Sequence, residues 1–191
     1  MEERVARVDD LADGQMKTVL VGGKRTLLAR VGGRFFATAT RCPHWGGLLP
    51  EGTLHGQRLL CPLHMAVFDV RTGGLVEPPA LDGLRAFRVR VDGEDVYVDR
   101  DAEPPAMGEA CESQPADSRT LAIVGAGAAA AAAAEELRAQ RFAGRTVMIS
   151  PEDRWPYDRP NLSKDYLAGE IEAKWLPLRS PAFYEELGLE R

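Results

Sequence analysis

Two short cysteine–histidine pairs constrain this chain more than any other feature. Cys42 and His44 stand one residue apart, Cys61 and His64 two apart, and sixteen residues separate the pairs in the stretch Arg41 to Phe68, RCPHWGGLLPEGTLHGQRLLCPLHMAVF. Two thiolates and two imidazoles on two loops make a metal-binding set, so the rest of the fold has to bring those loops together. Zinc accepts such donors in a closed tetrahedral site. A split-ligation iron–sulfur cluster takes two thiolates on one iron and two imidazoles on the other. Zinc fingers group cysteines in one knuckle and histidines in another, because each knuckle turns tightly about one ion. Here every loop mixes the two, which favours a binuclear cluster clamped from both sides and leaves zinc as the alternative. His55, in LHGQR, reads as a surface residue of a turn.

The frame around the pairs reads as β structure over residues 1–100. Glycine pairs at Gly22-Gly23, Gly32-Gly33 and Gly73-Gly74 punctuate TVLV, RTLLARV and RFFATAT, runs rich in branched and aromatic residues. The plainest hairpin is late: Phe87, Val89 and Val91 alternate with arginines, Asp92-Gly93 turns, and Val96 and Val98 flank Tyr97. Residues 101–118 then turn acidic and rich in Pro, Ser and Ala, with almost no large apolar side chain, as a linker does. Cys111 in it reads as a solvent-exposed thiol without a role.

Residues 119–191 change texture again. TLAIVGAG is an apolar strand running into glycines, AAAAAAAEELRAQRF a helix by alanine propensity, and RTVMIS a second strand. That order is a βαβ unit and starts a parallel sheet. Gly125, Gly127 and Ala130 fit G-x-G-x-x-G/A, whose glycines let the backbone approach a pyrophosphate at a helix N-terminus. The acid that takes the ribose hydroxyls is expected at Glu152, with Asp153 as second choice. A packing turn in an unrelated α/β unit is the bland alternative. PEDRWPYDRPNLSKDYLAGE reads as a loop followed by a short helix, and RSPAFYEELGLER as helical from Ser180-Pro181. One βαβ unit cannot cover both faces of a parallel sheet, so the chain is expected to be the front part of a longer protein.

The remaining bounds are broad. A formal net charge of −5 gives no pull toward nucleic acid, and the run Leu121 to Ala134 is too short and alanine-rich to span a bilayer. The acidic start MEERVARVDDLADGQ carries no export signal, and three cysteines form no disulfide framework, so a cytoplasmic protein is expected.

Two resemblances sharpen these readings. CPHWGG followed by CPLH resembles the Rieske [2Fe–2S] motif C-x-H…C-x-x-H, and the likeness runs from about Val5 to Asp99, through FDVRTGG and Pro78-Pro79. It implies an all-β Rieske domain of antiparallel sheets with the ligand loops at its tip, under a proline-containing loop. Cys42 and Cys61 would hold one iron, and His44 and His64 the solvent-facing one. High-potential Rieske proteins add a disulfide between the loops. Gly46, Gly47 and Leu63 stand there instead, which places the chain with the ferredoxin and reductase-associated branch. Many relatives carry glycine or a polar residue where Met65 stands, and the scarcity of hydroxyl donors implies a potential toward the low end of the Rieske range.

The segment WPYDRPNLSKDYLAGE resembles the FAD-dependent pyridine-nucleotide reductases of ferredoxin-reductase and apoptosis-inducing-factor type. Their pattern P-Y-x-R-P-x-L-S-K is matched by Pro156, Tyr157, Arg159, Pro160, Leu162, Ser163 and Lys164. The resemblance implies an incomplete α/β Rossmann-type FAD-binding segment in which Arg159 and Lys164 lie along FAD, with NAD(P)H bound by a part not present here. No side-chain acid/base or nucleophilic site is implied. The expected role is electron transfer through the cluster as part of an FAD-dependent NAD(P)H oxidoreductase, its redox partner or electron acceptor unidentified. A non-enzymatic Rieske-type ferredoxin with a vestigial C-terminal part is the alternative.

Overall fold

The structure, a computed structural model, describes residues 2–102 and 117–191. Contacts divide the chain into two compact units, Met1–Glu109 and Ala110–Arg191. Cys111 and most of the linker expected over 101–118 lie outside the described residues.

The first unit is built from ten strands: β1 (Glu2–Arg7), β2 (Met16–Val21), β3 (Lys24–Val31), β4 (Arg34–Thr38), β5 (Thr53–His55), β6 (Arg58–Leu60), β7 (Val67–Asp69), β8 (Leu75–Glu77), β9 (Ala86–Asp92) and β10 (Asp95–Asp99). They form a six-stranded sheet in the order β1-β10-β9-β4-β3-β2 and a four-stranded meander β5-β6-β7-β8, antiparallel throughout. This is the expected all-β fold of antiparallel sheets. Ala6, Val19, Val21, Leu28, Phe35, Ala37, Phe87, Val96 and Val98 come from all six strands of the larger sheet and share one core, so that sheet curls around them. A second core holds Leu27 and Ala29 from the opposite face of β3, together with Leu59 and Phe68 of the smaller sheet and Val70 just after β7. Strand β3 is therefore covered on both faces, which explains why TLLA is a continuous buried run and does not alternate.

The expected hairpin is present. Val91 pairs with Val96 and Asp92 with Asp95 around Gly93, whose φ of +58° takes the left-handed turn. Strand β1 carried no clear signal, because EERVAR offers only Val5 and Ala6 as apolar residues. It is a strand because β10 gives it a ladder from Glu2↔Asp99 to Arg7↔Asp95.

The second unit carries β11 (Thr120–Val124), α1 (Ala128–Ala139), β12 (Arg145–Ile149), α2 (Pro181–Glu186) and β13 (Leu189–Glu190). Strands β11, β12 and β13 are parallel neighbours in that order. Ala130, Ala131 and Ala134 bury one stripe of α1 against Met148, Tyr184 and Leu189, the small side chains letting the helix lie close to the sheet. Ser180 caps α2, its hydroxyl accepting from the Phe183 N–H at 3.2 Å.

Two expectations need correcting. No α-helix follows the WPYDRP loop: Pro160–Ser163 and Ala173–Trp175 are single 3₁₀ turns. Residues 162–164 and 166–170 are exposed, so no packed face holds a longer helix there. The last stretch adds a parallel strand, β13, that helical spacing did not announce.

Candidate functional site

The two ligand loops share one backbone design. The first joins β4 to β5 and the second joins β6 to β7. In each, the cysteine N–H donates to the carbonyl five residues on, Cys42 to Gly47 and Cys61 to Ala66, both at 2.9 Å. The residue four positions on donates back to the cysteine carbonyl, Gly46 to Cys42 at 2.9 Å and Met65 to Cys61 at 3.2 Å. Closing each turn requires a left-handed backbone at that fourth position, and Gly46 and Met65 have φ of +70° and +63°. Arg41 braces the first loop, its Nη1 donating to the Gly46 carbonyl at 3.0 Å.

This geometry sorts the four predicted donors by chemistry. Cys42 and Cys61 are buried, each 2% exposed, and form part of the core between the two sheets. Burial pushes the Cys42 thiol up, the His44 N–H beside it pulls it down, Cys61 raises it again, and the Trp45 N–H lowers it. The two thiols are thus neighbours, and backbone donors point at one of them. His44 and His64 also meet, with ring centroids 4.9 Å apart and planes at 83°. His64 is exposed and His44 half-buried. Sulfur therefore pairs with sulfur inside, and imidazole with imidazole toward solvent. Among the described residues, no three His, Cys, Asp or Glu side chains close on the position of a single ion. This set fits a two-iron cluster held as two pairs, and suits a closed mononuclear site less well. His55 ends β5 and is exposed.

Two features of the loops escaped the sequence reading. A Cβ on Gly47 would stand 2.8 Å from Cys61 Sγ and 3.1 Å from Leu63 Cγ, so the first loop crosses the second with no room for a side chain. The signal was a small residue five positions after each cysteine, Gly47 and Ala66. Trp45, Leu63 and Met65, exposed by 51%, 56% and 58%, form an apolar surround to the imidazoles.

In the second unit, Gly125 takes φ +111° directly after β11 and donates to the Ile149 carbonyl at 2.8 Å. Gly127 is the N-cap of α1, and a Cβ on either glycine would meet nothing within 4 Å. Helix α1 has no side-chain cap and no acid in its first turn, so its N-terminal N–H groups stand open to an anion. Ala130, the third position of the motif, is buried against the sheet. These features fit the pyrophosphate of a dinucleotide.

Glu152 and Arg159 are brought together. Arg159 Nη2 donates to Glu152 Oε1 at 2.6 Å, and the Tyr157 hydroxyl donates to Oε2 at 2.8 Å. Those two donors, Tyr157 first, hold the Glu152 carboxyl below its ordinary range. Tyr157 was matched in the motif without a role, and orienting Glu152 is what it does here. Asp153 turns elsewhere, to Arg191 at 2.7 Å. Lys164 follows the 3₁₀ turn and is exposed.

Comparison with known proteins gives the same two parts. The Rieske [2Fe-2S] domain family matches residues 2–88, and the pyridine nucleotide-disulphide oxidoreductase family matches residues 119–186. Human "Apoptosis-inducing factor 3" is 37% identical over 199 aligned residues, covering 100% of this chain and 32% of the relative, so the chain spans about a third of that relative's length. The "Biphenyl 2,3-dioxygenase, ferredoxin component" of Rhodococcus jostii is 42% identical over 96 residues, 50% of this chain and 90% of the relative. Among solved structures, the ferredoxin of carbazole 1,9a-dioxygenase from Nocardioides aromaticivorans superposes with a TM-score of 0.50 at 34% identity, covering 51% of this chain and 96% of that one. No helix among the described residues is long and apolar enough to cross a membrane.

Proposed function

The chain belongs to the Rieske [2Fe–2S] family, with a segment matching the pyridine nucleotide-disulphide oxidoreductases behind it, and we propose that it serves an FAD-dependent NAD(P)H oxidoreductase as its electron-exit module. Cys42 and Cys61 would hold one iron of the cluster on the buried side, and His44 and His64 the other toward solvent. The sorting of thiols inward and imidazoles outward carries this reading. Bound FAD would supply two-electron hydride chemistry toward NAD(P)H, and a bound cluster would supply one-electron transfer. The protein contributes placement: the exposed His64 edge gives a redox partner access, and the buried thiols keep water from the sulfur side.

On the flavin side, Gly125 and Gly127 leave room for the pyrophosphate, and Ala130 seats α1 against the sheet. Glu152, oriented by Tyr157, would accept from the ribose hydroxyls, and Arg159 and Lys164 would lie along the cofactor. A cytoplasmic setting suits two reduced thiols.

Dithionite-reduced protein should give a rhombic EPR signal with two irons and two sulfides per chain. One zinc and no acid-labile sulfide would refute the cluster.

The match across 90% of a dioxygenase ferredoxin component supports a second reading, a one-electron carrier whose C-terminal part is vestigial. NADH-dependent reduction of the cluster, measured with the chain joined to its NAD(P)H-binding part, separates the two, since a simple carrier is not reduced by NADH.

A further inference from the structure

The second unit contains a cleft of about 520 Å³ that the flavin reading leaves unassigned. Clefts of roughly 300–1,000 Å³ are the usual size for small-molecule sites. None of Gly125, Gly127, Ala130, Glu152, Arg159 or Lys164 lines it. Its walls carry Arg154, Arg179, Arg191, Trp155, Tyr157 and Tyr166, with leucine, proline and alanine side chains between them and Asp153 as the single acid.

The walls are fixed by their own contacts. The Trp155 ring stacks on buried Tyr184, centroids 4.9 Å apart and planes 20° off parallel. Arg191 lies over the Trp155 ring at 5.1 Å and pairs with Asp153 at 2.7 Å. Arg179 pairs with Glu135 at 2.9 Å and lies 4.7 Å over the Phe183 ring. The Tyr157 hydroxyl is tied to Glu152 at 2.8 Å. Arg154 differs: it is exposed and closes no ion pair among the described residues, although its charge acts on the Glu152 carboxyl.

Two arginines are held in ion pairs and the third is not, in a chain whose formal net charge is −5. An anion is the partner such a guanidinium takes, and aromatic walls select a flat ring. We propose that this cleft binds a planar aromatic molecule carrying one acidic group, of about mononucleotide size. The acid meets Arg154, and the ring lodges among Tyr157, Tyr166 and the apolar side chains. The cleft shares Tyr157 with the flavin reading, but none of the residues placed on FAD itself lines it.

The test is an NMR titration of the 191-residue protein, following the Trp155 indole and Arg154 Nε signals. The probes are AMP and 1-naphthoate, with adenosine as the uncharged control. Saturable shifts with AMP identify a nucleotide site, and shifts with 1-naphthoate an aryl-acid site; either supports the proposal. Arg154→Ala should weaken that binding by about tenfold or more, the worth of a charge-assisted contact. Lys164→Ala, which lies outside the cleft, should leave it unchanged, so failure of the flavin reading would not mask the result. Unmoved signals with both anions, or adenosine binding as tightly as AMP, would overturn the proposal.

Discussion

Met65 holds in the second ligand loop the left-handed backbone position that Gly46 holds in the first, with φ of +63° against +70°. Both residues stand four positions after a cysteine and donate to its carbonyl. The loops are two copies of one turn, and only the first has the residue suited to it. A side chain in this region costs about 1–2 kcal/mol, while glycine costs about 0.5–1 kcal/mol of chain entropy. Met65→Gly is therefore expected to keep its cluster and gain up to about 1 kcal/mol in thermal unfolding. Met65→Ile, branched at Cβ, should lose both stability and iron. Equal iron content and melting temperature in all three proteins would show that the turn does not constrain the site.

Gly47 is required for space. Its Cβ position lies 2.8 Å from Cys61 Sγ, and a metal-bound sulfur cannot yield as a flexible side chain does. Gly47→Ala should fold, because the rest of the core is untouched, yet purify with well under half the iron and sulfide of the parent. Full cluster content in that variant would mean the loops part more easily than their contact implies.

Asp69 ties the second loop's far strand to the FDVRTGG turn. Its carboxylate accepts from Arg71 Nη2 at 2.7 Å, from Nε at 3.0 Å and from the Arg71 N–H at 2.9 Å. Arg71 holds this carboxyl below its ordinary value of 3.8, against a smaller opposing effect of burial. A group whose pKa is lower in the folded state adds stability above its unfolded value and loses it as pH falls through the folded one. Melting temperature should therefore drop below about pH 4. Asp69→Asn should cost about 1–2 kcal/mol at neutral pH and flatten that acid limb. An unchanged acid limb would remove Asp69 from the account.

The cluster's potential follows from its donors. From Arg41 to Phe68 the only hydroxyl side chain is that of Thr53, exposed on β5. The donors at Cys42 are the backbone N–H groups of His44 and Trp45. Rieske potentials span about −150 to +300 mV, and hydroxyl donors to sulfur raise them by stabilising the reduced cluster. Protein-film voltammetry should place this midpoint below the standard hydrogen electrode. A clearly positive value would reveal donors that the loops' sequence does not supply.

Much of this was legible because the signals were local. Cys42, His44, Cys61 and His64 announce a site by spacing, and Val91–Gly93–Val96 announces a hairpin by alternation. What stayed hidden depends on distant partners. Strand β1 exists through β10, and β13 through β12. The need for Gly47 arises from Cys61 and Leu63 in the other loop. Tyr157 gained a role only when the chain folded it back onto Glu152. The expected helix after WPYDRP failed for the converse reason: its residues had propensity but no surface to pack on.

The glycine loop offers a test that separates ligand from fold. Gly127 has φ −102°, which any residue adopts, and its Cβ position meets no protein atom within 4 Å. Nothing in the fold demands glycine there, and the open space leaves room for a ligand to approach the backbone. Gly127→Ala should change stability by less than about 1 kcal/mol, since a lost cap and a stiffer unfolded chain oppose each other. The same methyl would stand where the proposed pyrophosphate meets the first turn of α1. FAD affinity, read by quenching of flavin fluorescence, should fall by about tenfold or more. A stable variant that binds FAD as tightly as the parent would take the loop out of the flavin site, and leave Glu152 and Arg159 as an ion pair without a cofactor.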